Sequence, residues 1–239
     1  MNIENYKYVW CINKLVINMD YNLCTCLTEK TIDACLDVIK KIDTELIEHR
    51  IDFLENIVDL DKIYSSKKEI IATCRNKNCG GFFDGSEEER IKILIWAIEA
   101  GAKYVDIEVE TQIELKRKVI DFAKENNCKV IVSMHNFKET PNDSVLQKAL
   151  AQEIEDGADI GKIVTFANEK ISYLRVLDLI LQAKEADFPL IAFCMGEKGK
   201  SSRLTCLALG SPFTFVAYNT ASAPGQFTAK EAREILNKK

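Results

Sequence analysis

The chain is short of the residues that would mark it as anything other than a folded domain. Ten glycines and four prolines among 239 residues are too few for a collagenous, linker-like or low-complexity polymer. Histidine is scarcer still, with only His49 and His135. No Cys-x-x-Cys pair occurs either, so an imidazole-rich metal centre and a zinc ribbon both fit poorly. Long apolar runs are missing: a stretch such as Ile93 to Ile98 falls far below the roughly 20 residues that a membrane-spanning helix needs. Asn13 and Lys14 interrupt the N-terminal segment before a secretory apolar core develops, so a cytoplasmic protein with no membrane partner is expected. Basic excess is absent as well. With 32 Lys+Arg against 37 Asp+Glu, the net charge is -5. No five-residue basic cluster offsets that balance, which argues against a nucleic acid held by counterion release. The expected partner is a small molecule.

Hydrophobic residues make up 47% of the chain, enough to bury a large core. The nine cysteines (Cys11, Cys24, Cys26, Cys35, Cys74, Cys79, Cys128, Cys194 and Cys206) lie mostly inside apolar segments. Their odd number fits reduced small hydrophobes better than a disulfide framework. Runs rich in β-formers occur near 22–27, 45–52, 69–75, 103–109, 128–134, 159–165, 188–194 and 211–217. Helical patterns separate them at 29–41, 54–65, 86–100, 111–126, 142–156, 168–186, 200–209 and 228–238, the last opened by Thr228 with Glu231 completing a capping box. Eight such alternations predict one (β/α)8 barrel over residues 1–239, at roughly 25 to 30 residues per repeat. An open doubly wound sheet is the alternative, and the lack of Gly-x-Gly-x-x-Gly after the first strand weighs against it. Residues 6–18 alternate around Tyr8, Trp10, Ile12, Leu15 and Ile17, the pattern of a hairpin closing the barrel floor.

Barrel strands bury both faces, so ionisable side chains within them are costly unless paired or used. Period two puts Ile47, His49 and Ile51 on one face of the second strand and Leu46, Glu48, Arg50 and Asp52 on the other. In the fourth, Val105, Ile107 and Val109 oppose Asp106, Glu108 and Glu110. The apolar sets suit the helix layer, which turns the charged sets inward and leaves His49 structural. Thr73 shares a face with Arg75, Ser133 with His135, and Ile160 with Lys162. These positions fall at or near the carboxyl ends of their strands, the end at which barrels build active sites.

The residue types limit the chemistry. Lys162, desolvated and beside arginines, is expected to lose its proton readily and attack a carbonyl to form a Schiff base. His135 is placed to move protons near neutral pH, with Glu108 fixing its tautomer through the other ring nitrogen. A metal site using His135, Glu108, Asp106 and Glu48 is the weaker use, because one imidazole is available and the nearby cations repel a divalent ion. Arg50, Arg75 and Arg203 point to an anionic ligand, most simply a carboxylate. Gly196 to Arg203 lacks the Walker ending of a nucleotide cradle, and Ala221 to Gln226 suits a loop that folds over a ligand. An enzyme that works through a Schiff base, a class I aldolase among them, and a non-catalytic barrel that binds a carboxylate metabolite both remain open on these residues.

Seven segments, in order and fittingly spaced from about residue 21 onward, resemble type I 3-dehydroquinate dehydratase. They are Glu48-His49-Arg50-Ile51-Asp52, Thr73-Cys74-Arg75, Asp106-Ile107-Glu108, Ser133-Met134-His135-Asn136-Phe137, Ala158-Asp159-Ile160-Gly161-Lys162, Gly199-Lys200-Ser201-Ser202-Arg203 and Ala221-Ser222-Ala223-Pro224-Gly225-Gln226. The resemblance implies a usually dimeric (β/α)8 barrel that converts 3-dehydroquinate to 3-dehydroshikimate without metal or cofactor. It further implies Lys162 as the Schiff-base lysine, His135 as general acid/base and Glu108 as its orienting carboxylate. Glu48, Arg50 and Arg75 would hold substrate, and Arg203, Ser222 and Gln226 would form a carboxylate clamp with its closing loop. Met134 and Cys26 stand where the family commonly has, respectively, a polar or aromatic residue and a serine.

Overall fold

The computed structural model describes residues 22–237. Eight strands run through it: β1 (Leu23–Leu27), β2 (Leu46–Arg50), β3 (Glu69–Thr73), β4 (Tyr104–Glu108), β5 (Lys129–Asn136), β6 (Ile160–Phe166), β7 (Leu190–Met195) and β8 (Thr214–Ala217). Consecutive strands from β1 to β7 pair in parallel, and β8 returns to pair in parallel with β1. This sequential order with first and last strands adjacent is a nearly closed (β/α)8 barrel and excludes the open doubly wound sheet. No backbone ladder joins β7 to β8 among the described residues. Their seam is closed by side chains: the Ser211 hydroxyl donates to the Leu190 carbonyl at 2.8 Å, and the Phe193 and Phe215 ring centroids stand 6.4 Å apart.

Helices alternate with the strands as α1 (Ile32–Ile39), α2 (Asp61–Tyr64), α3 (Glu87–Glu99), α4 (Ile113–Glu125), α5 (Asp143–Glu155), α6 (Lys170–Glu185), α7 (Ser202–Leu209) and α8 (Ala229–Leu236). Their starts follow from local chemistry. Thr31 and Asn142 accept backbone N–H bonds at α1 and α5, while Ser86 with Glu89 and Thr228 with Glu231 form capping boxes at α3 and α8. Outward strand residues such as Ile47, Ala72, Val105, Ile107 and Val132 pack on Cys35, Leu94 and Val119 of the helices. Inward, Leu46, Ile71, Ile131 and Ile160 share one apolar cluster. Each of these buried aliphatic side chains contributes roughly 1.5 to 3 kcal/mol by leaving water.

Several boundaries differ from the sequence expectation for identifiable reasons. β2 ends at Arg50, and Ile51–Phe53 form a 3-10 turn, so Ile51 and Asp52 do not belong to the strand alternation. β4 ends at Glu108, which leaves Glu110 exposed rather than inside the barrel. The helix expected over 54–65 is reduced to Asp61–Tyr64, because Asp59 adopts φ 52° and interrupts it. β5 instead continues to Asn136, which brings His135 into the strand. The amino ends of the strands open into a cavity of about 700 Å3 with Asn22 on its wall. The hairpin expected at 6–18 lies outside the described residues. All eight described cysteines are free and buried.

Candidate active site

At the carboxyl ends of the strands the inward charges meet in one buried network. Lys162, on β6, is only 4% exposed. Its Nζ lies 2.9 Å from Asp106 Oδ2, 3.4 Å from Glu48 Oε1 and 4.0 Å above the centre of the Phe215 ring. The groups that meet the amine are therefore carboxylates and an aromatic face. Arg75 stands on the other oxygen of the same Asp106 carboxylate, and Arg50, Arg75 and Arg203 line the same cavity as the amine. The ladder pairs Lys162 with Ser133 and His135 with Val164. His135 is thus one inward position further toward the mouth, diagonal to the lysine on the neighbouring strand.

Asp106 is the hub. It accepts from Lys162, from the Ser133 hydroxyl at 2.7 Å, and pairs with Arg75 Nη2 at 2.8 Å. Burial opposes its ionisation, yet the Arg75 and Lys162 charges hold its carboxyl well below the usual range. Glu48 is lowered in the same way, against burial, by Lys162 and Arg50. Arg75 is raised despite burial by Asp106 and Glu108. Arg50 forms a two-pronged pair with Asp52, at 2.9 and 2.7 Å, and that pair replaces the inward strand position first assigned to Asp52.

The expectation that Glu108 orients His135 does not hold. Glu108 Oε1 accepts from Arg75 Nη1 at 2.9 Å, and Oε2 lies 2.6 Å from Arg90 Nη1. Both oxygens are committed to guanidinium groups, whose charge outcompetes a neutral imidazole for them. His135 Nδ1 has no hydrogen-bond partner among the described residues, and the ring lies nearly parallel to Phe137, at 17° with centroids 6.2 Å apart. Burial, then the Arg75 and Lys162 charges, push its pKa well below the ordinary histidine value. It is therefore a neutral base at pH 7. His49, by contrast, is fully buried among the helices against Tyr64, 3.1 Å from its hydroxyl.

Arg203 differs from the other cations. It is 1% exposed, no carboxylate pairs with it among the described residues, and its Nε has no partner. It touches only the Pro224 carbonyl at 3.1 Å and the Phe193 ring at 4.6 Å, and burial pulls its pKa down to about 10. An uncompensated buried guanidinium of this kind awaits an anion. Above it, Ser222 donates through N and Oγ to Gln226 Oε1 at 2.8 and 3.1 Å, and Gln226 Nε2 meets Cys26 Sγ at 3.2 Å. The thiol donates to Glu48 at 3.2 Å, so the loop after β8 is tied to the strand network. Glu48, Arg50, Arg75, His135, Lys162, Arg203, Ser222 and Gln226 line one cavity, and Glu108 sits behind Arg75.

Sequence inspection missed three contributors. Asp106 was seen as inward-facing and as a weaker metal-ligand candidate but given no part in holding Lys162, Phe215 gave no charge to notice, and Arg90 lies on a helix. Its signal was an arginine falling on the buried face of α3 with Ile91, Leu94 and Ala97. Among the described residues no three His, Cys, Asp or Glu side chains are arranged to hold a metal ion, and no described helix is long and apolar enough to cross a membrane.

The family model described as type I 3-dehydroquinase matches residues 23–239. The chain belongs to this family. A 3-dehydroquinate dehydratase from Pyrococcus abyssi is 37% identical over 214 residues, covering 90% of this chain and 96% of that protein. Another from Desulfotalea psychrophila is 34% identical over 218 residues, covering 90% and 96%. Among solved structures, the type I 3-dehydroquinate dehydratase of Clostridium difficile with covalent modified comenic acid superposes with a TM-score of 0.82 at 27% identity, covering 91% of each chain. Family membership joins the segments quoted above to the one cavity in which their side chains meet.

Proposed function

We propose that the whole chain acts as one catalytic barrel, a hydro-lyase that converts 3-dehydroquinate to 3-dehydroshikimate and water through an imine on Lys162. The observation that carries this reading is the burial of the Lys162 amine at the barrel mouth, with two carboxylates on it and a neutral imidazole diagonal to it. Asp106 and Glu48 hold the ammonium in place, and neutral His135 takes the proton as the nitrogen attacks the C3 ketone, then hands it to the carbinol oxygen that leaves as water. The resulting iminium draws electrons from the adjacent carbon, which acidifies the C2 proton. Neutral His135 removes it and returns it to the departing C1 hydroxyl, so a second water leaves and the ring gains conjugation. Hydrolysis of the imine consumes one water and frees Lys162, giving a net loss of one water. No cofactor is needed.

Binding divides among the remaining groups. The unpaired Arg203 supplies the charge for the substrate carboxylate, with Ser222 and Gln226 folded over it. Glu48, Arg50 and Arg75 line the side that faces the hydroxyls, and Glu108 holds Arg75 rather than His135. Homodimeric assembly and a cytoplasmic setting belong to the same proposal, and light scattering of the purified chain tests the dimer. The decisive experiment mixes the protein with 3-dehydroquinate, reduces with borohydride and maps the product by mass spectrometry. An adduct on Lys162 is expected, and an unmodified Lys162 would reject the mechanism.

A further inference from the structure

Arg90 lies outside the catalytic cavity, yet it is completely buried and every arm of its guanidinium is engaged. Nε and Nη2 hold Glu87 at 2.9 and 2.5 Å, Nη2 also meets the Thr111 hydroxyl at 3.0 Å, and Nη1 reaches the Cys74 carbonyl at 3.1 Å and Glu108 Oε2 at 2.6 Å. Two of these contacts bear on a single neighbour. Cys74 is the residue before Arg75, so its carbonyl sets the backbone from which Arg75 projects. Glu108 is the carboxylate that grips the Arg75 side chain. Nη1 thus reaches both the main chain and the side-chain partner of Arg75, while Nε and Nη2 anchor the guanidinium on Glu87 and Thr111, an anchoring that a single-nitrogen ammonium lacks.

We propose that Arg90 is a positioning residue for the dehydration site, holding Arg75 in register and keeping the buried charge cluster balanced. The proposal rests on the dehydratase reading above. Within the cluster the cations Arg50, Arg75, Arg90 and Lys162 stand against the buried carboxylates Glu48, Asp52, Asp106 and Glu108, with the partly exposed Glu87 on the outer side of Arg90. Deleting the charge at position 90 leaves Glu108 with one partner and the cluster with an excess negative charge. The charges facing His135 are Arg50 from β2, Arg75 after β3, Asp106 from β4 and Lys162 from β6, with Glu108 behind Arg75. Cys79 lines the same cavity, but its thiol is pushed up to about 12 and stays neutral. Excess negative charge in this surrounding favours the imidazolium, so the base form of His135 is lost at a higher pH.

The test is steady-state dehydration of 3-dehydroquinate from pH 5 to 9 by wild type, Arg90→Met and Arg90→Lys, with thermal melts to establish folding. Arg90→Met is expected to raise KM about tenfold to a hundredfold, as loss of alignment does, and to change kcat far less. Its acid limb in kcat/KM should move up by about half a pH unit or more. A folded Arg90→Met with wild-type KM and a wild-type acid limb would overturn the proposal, because a purely structural arginine alters melting alone. If Arg90→Met does not fold, Arg90→Lys decides. Its ammonium supplies the charge beside Glu108 but has no further nitrogens for Glu87 and Thr111, so the alignment loosens: KM should rise several-fold with the limb unmoved, and a wild-type KM would overturn the proposal. A wild type without turnover would instead overturn the dehydratase reading, and this proposal with it.

Discussion

Two fully buried carboxyl groups flank the strand that carries Lys162, and they behave oppositely. Asp106, inside the barrel, meets Arg75, Lys162 and Ser133 and is held ionised. Glu153, on α5 outside the barrel, has no hydrogen-bond partner on either side-chain oxygen among the described residues, and burial pushes its pKa well above the ordinary carboxylate value. Both are about equally hidden, at 1% and 0% exposure. Burial alone therefore does not determine protonation here; the company each carboxyl keeps does. The inner carboxyl works as part of an electrostatic network, whereas Glu153 on the outer side is a neutral filler.

The sharpest way to probe the inner face is to remove its amine. Lys162→Ala should lower turnover by at least about 10^4-fold while retaining measurable ligand affinity, because the arginines contribute binding and the lysine contributes chemistry. Activity assays with calorimetry check it, and equal loss of both would contradict that division. Asp106→Asn should cost about 3 to 5 kcal/mol in urea unfolding, since it strips Arg75 and Lys162 of a shared buried partner. The same measurement on Gly161→Ala should show a loss of about 1 to 3 kcal/mol. A Cβ there would sit 2.4 Å from Glu153 Oε2, with Phe188 and Leu190 also within 3 Å, so the carboxyl occupies space that a side chain would need.

The pH dependence of Glu153 carries the clearest sign. Because the folded pKa of Glu153 is raised, its cost is absent below the unfolded value near 4.5. The cost appears as pH rises above that value, where the unfolded chain ionises and the native state does not. Over that interval the group destabilises the fold by about 1.4 kcal/mol per pH unit. Asp106 runs the other way: its lowered pKa contributes stability above the unfolded value near 3.8, and this is lost as pH falls. Glu153→Gln should therefore gain on wild type in melting temperature between pH 5 and pH 8 and not below pH 4. A constant offset across that range would show that Glu153 does not titrate as described.

The order of elements and the inward faces were legible in the sequence because period two and period 3.6 report directly on which side of a layer a residue occupies. Glu48, Asp106, His135 and Lys162 were all placed inward on that basis. Alternation is silent on height along the barrel axis and on neighbours around the ring. Glu108 was for that reason assigned to His135, when two guanidiniums, one of them from α3, lie closer. Arg90 was invisible for a related reason: a helical residue reaching back over a strand end leaves no periodic trace in the strand it serves. The one-turn α2 follows from the left-handed Asp59, and β4 gives way to a turn closed by the Thr111 N–H on the Glu108 carbonyl, features that hydrophobic patterns do not encode.

The seam between β7 and β8 has a consequence for anyone who would cut or rebuild this barrel. The two rings that bridge it also carry the two functional cations, Phe193 beneath Arg203 and Phe215 beneath Lys162. Prying the staves apart there would sever no ladder, yet it would unseat the proposed nucleophile and the proposed anion anchor in the same movement. New termini therefore belong elsewhere on the circumference, where opening a joint disturbs hydrogen bonds but leaves both cations on their aromatic beds.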